Sequence, residues 1–383
     1  MKTIAFLLLV LLTKTATAQT IRIADNNTNA PTGANIFTGA SALQNAINAA
    51  LTNDIVYIQP STTSYGNATV GKKITIKGVG FGVTEIAPRT STLGTLSISN
   101  SFDGVANVSG LILTGFSFTT IEFVAGTGGS QYNNIVVENV NGSNFWHTSC
   151  LPGVNNLVLR NSIIAGNIQL GSCSGMANTK IYDNVVGFIN IYNNVNPVIS
   201  NNLWFRNSSY AIATSLPDGT RASTGVRVEH NIFSGSGAAF SSLFNGLVVN
   251  NIFYGTTPNG DSPFYSNTFS NNLILSAYTF PVPAIGGPAN SDIGNITGIG
   301  PLFTNAPVVT SYNATYNYTL QAGSVCINAA TTGENIGPSG GLYPWTGNLS
   351  LKASAIPVIT LFGNSGLVPQ NQPLKSNIKA KSN

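Results

Sequence analysis

Between residues 130 and 275 the apolar and polar positions recur as short tetrads. An aliphatic or β-branched pair is followed by a polar residue and an asparagine. The clearest copies are Val136-Val137-Glu138-Asn139, Val158-Leu159-Arg160-Asn161 and Ile181-Tyr182-Asp183-Asn184. Looser copies stand at Ile199-Ser200-Asn201-Asn202, Val228-Glu229-His230-Asn231, Val248-Val249-Asn250-Asn251 and Phe269-Ser270-Asn271-Asn272. Counted on the last Asn, the spacings are 22, 23, 18, 29, 20 and 21 residues. Such a period is too short for paired-helix repeats of about 33 residues or more and fits one coil of a β-solenoid. Val, Ile, Phe, Asn and Gly dominate while strong helix formers are scarce, which agrees with strands. Each coil adds one strand to each parallel sheet, with neighbours about 4.8 Å apart, and parallel crossovers are right-handed. The last Asn of each tetrad is expected at a tight bend, in left-handed backbone, with its amide bonding along a column. Three residues earlier, Val136, Val158, Ile181, Ile199, Val228, Val248 and Phe269 are expected to point inward. Two residues later, Trp204, Phe233, Phe253 and Ile274 read as an internal stack. An exposed sugar-binding row is the alternative.

The ends of the chain follow other patterns. Ile4–Leu12 is an apolar run after Lys2 and precedes Ala16-Thr17-Ala18, the form of a signal peptide cleaved after residue 18. Nine apolar residues fall short of the roughly 20 needed to span a bilayer, and no later stretch suffices. Ser41–Leu51 has apolar positions at helical spacing behind an N-cap Ser. A helix there covers the open end of a solenoid core, which otherwise exposes strand edges. Ile55–Ile58 and Lys73–Gly78 read as the first strands. The repeat decays beyond Asn295. Pro357–Phe362 reads as a late strand and Lys375–Asn383 as a basic tail. The expected organisation is a signal peptide over 1–18, one all-β, single-stranded right-handed parallel β-helix over 19–341, and a C-terminal extension over 342–383.

Composition narrows the setting. Charged residues make up 7% of the chain and hydrophobic residues 43%, against about 25% charged in ordinary soluble domains. The hydrophobic content excludes a disordered chain. The formal net charge of +4 falls to +2 once Lys2 and Lys14 are removed, too dilute for nucleic acid or an anionic membrane. The expected location is extracellular or on the cell surface. Three cysteines leave at least one thiol unpaired in a monomer. Cys150 and Cys173 stand at near-equal offsets from Asn139 and Asn161. Adjacent coils then bring them within disulfide range, as a bridge or a stacked thiol pair. Cys326 reads as a buried thiol. No spacing suits a sulfur-based metal site.

Leu43–Ala50, Asp54–Pro60 and Lys73–Gly78 together resemble the opening of pectin-lyase-like β-helix proteins: a capping helix, a first strand and a T-I-x-G coil. Gly323–Ala330 followed by Asn335-Ile336-Gly337 resembles the segment that closes such proteins, with Cys326 and Asn328 in place of its usual Ala and Asp. The tail ending Ile378–Asn383 is similar to tails of secreted Bacteroidetes β-helix proteins of unassigned function. The resemblance spans most of the mature chain and implies fold rather than activity. Lyases of the family use clustered carboxylates for Ca²⁺ with an Arg or Lys base, so a Ca²⁺ cofactor follows only if this chain is a lyase; otherwise no cofactor or metal is expected.

Candidate chemistry is sparse. Twelve acidic residues include no adjacent pair, and the only histidines are His147 and His230. Glu138, Arg160 and Asp183, each just before the last Asn of a tetrad, are expected on successive coils. They form either a base or clamp in a sugar groove or a surface ion-pair ladder. The 29-residue coil holds an insertion, with Leu216-Pro217-Asp218-Gly219-Thr220 as a turn and its flanks as a hairpin arm. Arg206, Asp218, Arg221, Arg227, Glu229 and His230 concentrate charge around it, as a ligand-contact region or as loop decoration. Trp146 reads as edge packing or, if exposed, as a stacking surface for a pyranose ring. Three functions remain: a non-catalytic polysaccharide binder or adhesin, a lyase or hydrolase of acidic pectin-like polysaccharide, and a structural spacer.

Overall fold

A computed structural model describes residues 19–345 except 82–89, 100–106, 125–131, 148–152, 172–174, 207–209, 217 and 262, together with the strands Val358–Asn364 and Ser376–Lys381. The signal-peptide reading, Cys150 and Cys173 lie outside the described residues. The chain winds as a right-handed parallel β-solenoid whose coils pass from sheet A to sheet B, with a short third sheet, C, in the coils between Tyr132 and Val195. Sheet A has 13 strands, sheet B 14 and sheet C four. Val136–Glu138, Val158–Arg160 and Lys180–Tyr182 are typical of sheet A, Asn141–His147 and Ile163–Leu170 of sheet B, and Val154–Asn155 and Met176–Ala177 of sheet C.

The register of sheet A differs from the expected one by a single residue. Val136 pairs with Val158, and Val158 with Lys180. The residues pointing inward are therefore Val137, Leu159, Ile181, Ile199, Val228, Val248 and Phe269, all fully buried. Val136 and Val158, expected inside, lie half-buried on the outer face. The same step moves Asn161 over Asp183, so Asn139, Asn161 and Asn184 do not form one column. The physical reason is that the bend uses two residues with separate tasks. The first is left-handed: Asn139, Asn161, Asp183, Asn201, His230, Asn250 and Asn271 have φ of 52°, 49°, 57°, 54°, 55°, 60° and 50°. The second is the true ladder, in which Asn184, Asn202, Asn231, Asn251 and Asn272 are fully buried.

The ladder satisfies a demanding set of buried groups. The Asn202 Oδ1 accepts the backbone N–H and the side-chain amide of Asn184, both at 3.0 Å. Asn202 Nδ2 donates to Ile181 O at 2.9 Å and to Asn231 Oδ1 at 3.0 Å. The pattern repeats through Asn231, Asn251 and Asn272 to Asn295, and Ser162 opens it by donating its N–H to Asn184. Beside it, Trp204, Phe233 and Phe253 stack inside the core with ring centroids 5.7 and 5.1 Å apart. The aromatic row is interior packing, not a surface strip.

Helix α1, Ala42–Ala49, covers the first coils with Ala42, Leu43, Ala46 and Ile47. Ser41 holds the N-cap position, but its hydroxyl makes no capping bond. Among the described residues the expected hairpin arm is absent. Ile212–Ala213 lies parallel between the strands Val185–Ile191 and Phe240–Phe244, and Thr224 bridges Val195 of sheet C. The extra length of that coil is absorbed as added strand in the solenoid wall, because a parallel partner is available on both sides.

After Asn295 the chain returns along the outside. Phe303, Tyr318, Cys326 and Ile336 bury an outer column of sheet B formed by Val185, Leu203, Ile232, Ile252 and Leu273. The C-terminal strands Val358–Asn364 and Ser376–Lys381 pair antiparallel.

Replacing Asn231 with Ala orphans the Ile199 carbonyl and the amide groups of Asn202 inside the bend. We expect a loss of about 3 kcal/mol in chemical denaturation. Asn155→Ala, on the half-buried outer surface of sheet C, is expected to cost under about 1 kcal/mol.

Candidate functional site

The charged row of the sequence survives in part. Glu138 and Arg160 are cross-strand neighbours, paired at 2.6 Å with side chains 20% and 40% exposed. Arg160 faces Tyr182 on its other side, not Asp183, and Nη1 donates to the Tyr182 hydroxyl at 3.1 Å. Asp183 sits one position on, in the left-handed bend. Burial pulls the Arg160 guanidinium pKa down, but its hydrogen bonds to Glu138 and Tyr182 outweigh this and the net shift is upward. A base requires the opposite shift, so Arg160 is held as a cation. Tyr182 is in turn stacked on Tyr343 at 3.7 Å. The exposed pair itself contributes about 0–1 kcal/mol.

The second group gathers around a cavity of about 260 Å³ lined by Arg227, Glu229, His230, Asn250, Thr331 and Glu334, among others. Arg227 and Glu229 form an ion pair at 2.6 Å. His230 is 4% exposed. Its Nδ1 lies 3.1 Å from the Gly337 carbonyl, and its Nε2 3.1 Å from Asn250 Nδ2. The amide can only donate, so the bonding pattern assigns the proton to Nδ1 and leaves Nε2 as acceptor. Both ring nitrogens are occupied in the neutral form. Burial lowers the pKa below its ordinary 6.5, against the opposing pull of Gly337, Glu229 and Glu334. Glu334 lies 4.0 Å from Nε2.

His230 is therefore a docking residue. The returning chain, over residues 329–345, forms a strap that grips the left-handed column coil by coil. Asn271 donates to Ala329 O, Asn250 to Thr331, and Asn201 to the carbonyls of Pro338 and Gly340. Trp345 Nε1 closes the series on Asn201 O at 2.9 Å. A Cβ at Gly340 or Gly341 would lie 2.9 or 2.7 Å from the imidazole, so only glycine lets the strap lie flat on the ring. Sequence reasoning missed Glu334, Thr331 and the two glycines, which lie about 100 residues from His230 and outside the repeat.

The remaining candidates do not converge. Arg206 belongs to sheet B. Asp218 serves its own turn, accepting from Thr220 N and Oγ1 at 2.9 and 2.6 Å. Arg221 is exposed in left-handed backbone, its carbonyl holding Asn193 N at 2.7 Å. Only Arg227, Glu229 and His230 are brought together, in sheet A and at its bend. Trp146 lies half-buried on the outer face of sheet B. Burial pushes the Cys326 thiol up to about 12, an unreactive core residue. Among the described residues no group of three His, Cys, Asp or Glu side chains is placed to hold a metal ion.

A different surface is more regular. A groove of about 480 Å³ crosses three successive coils and is lined by Asn156, Val158, Asn178, Lys180, Asn196 and Val198. Its asparagines occupy the left-handed turn from sheet C to sheet A, with φ of 56°, 56° and 55°. Their exposed side chains form a second ladder: Asn156 Nδ2 donates to Asn134 Oδ1 at 3.0 Å, and Asn178 Nδ2 to Asn156 Oδ1 at 3.2 Å. One coil further, Gly225 takes the same turn with φ of 64°, where a Cβ would lie 2.3 Å from Asn196 Oδ1. Lys180, between Val158 and Val198 in register, is exposed and unpaired among the described residues.

Protonation of His230 places a second donor against Asn250. Its pKa is lowered on folding, so its contribution is complete above 6.5 and is withdrawn as pH falls through the lowered value. Amide exchange of residues 329–341, corrected for intrinsic rates, is expected to quicken between pH 7 and pH 5. His230→Asn, which suits the left-handed bend, is expected to remove that dependence.

No family model matches the chain, and no curated protein is similar to it in sequence. Among solved structures it is similar to the A-module of the Azotobacter vinelandii mannuronan C-5 epimerase AlgE6, at 14% identity over 72% of this chain and 92% of that one, with a TM-score of 0.33. An alginate lyase from Paenibacillus sp. str. FPU-7 is similar at 15% identity over 72% and 95%, with a TM-score of 0.34. The A-module of the A. vinelandii epimerase AlgE4 matches at 12% identity over 72% and 96%, with a TM-score of 0.24. The fold, a right-handed parallel β-helix, rests on the strand pairing of this chain itself.

Proposed function

We propose that this is a secreted, non-catalytic polysaccharide-binding protein whose contact surface is the groove from Asn156 to Val198. The observation that carries this reading is the exposed asparagine ladder beside a shallow aliphatic floor. Each amide used in the ladder keeps a second N–H and a second lone pair for a ligand. The rungs recur about every 4.8 Å along the solenoid axis, close to the rise of an extended pyranose chain. Hydroxyls, which both donate and accept, suit such a surface at every rung. Lys180 adds one cation in the middle and favours a polymer bearing carboxylates. No carboxylate lines the groove, whereas glycoside hydrolysis generally uses two. The apolar run and small-residue site before residue 19 support export.

Affinity electrophoresis of the full chain in polygalacturonate or alginate gels is expected to show retardation, with no rise in reducing ends or unsaturated sugars over hours. Asn178→Gly, which keeps the left-handed turn, and Lys180→Ala are each expected to weaken retention by about three- to tenfold. Polymer cleavage, or retention indifferent to both substitutions, defeats the reading.

A further inference from the structure

The last coil of the solenoid leaves part of its wall uncovered. The core is closed there: Val282 is buried, and the Phe280 ring lies 6.5 Å from that of Phe269. The wall is not. Ser291–Ile293 is the final strand of sheet A, with no strand beyond it, and all three of its residues are exposed. The matching end of sheet B, Ile296–Thr297, is half-buried. Ten large apolar side chains are exposed among the described residues, and four of them, Ile285, Ile293, Ile299 and Leu302, fall in this one stretch. Register sets Asp292 over Phe269, in the inward column, and Ile293 over Ser270 on the outer face. Asp292 is in no ion pair among the described residues. A bare edge of this kind is a template for a further strand.

The same chain carries a sheet that lacks a third strand. Val358–Asn364 and Ser376–Lys381 pair with each other alone, and an isolated two-stranded hairpin is marginally stable at best in water. Its register puts Ile359 opposite Ala380 and Phe362 opposite Ile378. Those four positions share one face of the hairpin, and Lys379 and Lys381 share the other. A Ser376–Lys381 strand laid along Ser291–Ile293 continues both faces of sheet A. Its apolar positions then fall on the side of Ile293, and its lysines on the side of Asp292.

Reach selects this edge over the one at the opposite end. Trp345 is fixed to Asn201, just after the strand Val198–Ser200. From that strand, Ser291–Ile293 lies four strands on and the opposite edge, Ile36–Thr38, eight strands back, roughly 19 and 38 Å. Twelve residues stand between Trp345 and Val358, a span of about 45 Å at full stretch. The near edge is reached with slack, the far edge only by a chain pulled almost straight, and helix α1 packs against the far edge.

We propose that the C-terminal hairpin docks in cis on the edge Ser291–Ile293, extending sheet A. Ser376–Lys381 lies next to the edge, with Ile378 and Ala380 continuing the outer face and Lys379 and Lys381 on the side of Asp292. The hairpin occupies the edge that a second copy would otherwise use, and so keeps the solenoid from growing end to end. The inference involves no ligand and is independent of the asparagine groove.

Hydrogen exchange of the full chain at two protein concentrations, with sedimentation in parallel, tests this. Residues 291–293 and both hairpin strands are expected to be protected in a monomer, to the same degree at both concentrations. Ile378→Pro, which removes an N–H and breaks the strand, should quicken exchange of 291–293 by about tenfold or more. The ladder amides of Asn202, Asn231 and Asn251 should exchange as in the parent, which excludes general misfolding as the cause. Asp292→Lys should quicken exchange of the same residues by about two- to fivefold, and joining it to Lys379→Asp and Lys381→Asp should restore protection. Three results overturn the proposal: exchange of 291–293 within about twofold of the parent in Ile378→Pro, failure of the charge swap to restore protection, or protection that rises with concentration as a dimer forms, which assigns the edge to a second copy.

Discussion

In the coils from Asp183 to Asn271 the bend from sheet A to sheet B passes through left-handed geometry and, one residue later, buries polar main-chain groups away from water. An unpaired amide in that position costs about 1–3 kcal/mol, and the bend recurs in each of these coils. The asparagine ladder meets this demand with a single residue type. Its side chain offers an acceptor to the preceding coil, and two donors for a carbonyl behind and the next rung ahead. Each rung is complete only when its neighbours are present, so the coils are coupled along the axis as well as through the core.

The left-handed residue just before the ladder has the opposite fate. The seven residues of that column form a polar line on the outside of the solenoid wall, where Asn201, His230 and Asn250 are buried under the returning chain. Four of them, Asn201, His230, Asn250 and Asn271, become handholds for the chain returning from residue 300. Apolar cover over Leu203, Ile232 and Ile252 supplies hydrophobic burial to the strap, and the column supplies its register. His230 is conspicuous in the sequence because histidine is rare here. Its place in a line of asparagines shows why: it does an asparagine's work at a broader contact, and the strap answers with glycines.

The solenoid, its capping helix, its interior aromatic stack and the decay of the repeat near Asn295 were legible because each depends on local pattern. The register was legible only to within one residue. In Val136–Asn139 and Val158–Asn161 the left-handed position is the last of the tetrad; in Ile181–Asn184 and later copies an extra Asn follows it. Matching Asn to Asn therefore joined two different columns and put Asp183 beside Arg160 where Tyr182 stands. Spacing of one amino-acid type cannot separate two roles that asparagine fills equally well, whereas the burial of Val137 and Leu159 does. The charge around the long coil misled for another reason: residues close in sequence fall on different sheets of a solenoid. Asp218 and Arg227 are nine positions apart yet sit in a loop turn and in sheet A. Conversely, His230 and Gly337 meet across 107 residues, a contact that no periodicity announces.

A chain with 7% charged residues cannot draw in ligands by field strength. What it has is fixed spacing. Groups mounted on a solenoid are already ordered, so a polymer lying along them does not have to immobilise loops or long side chains on the protein. Each amide contributes little, and affinity grows by adding rungs on one ligand chain rather than by deepening any one contact. The asparagine rungs beside Lys180 have this form. Because every rung is alike, such a surface tolerates variation along a polymer laid on it.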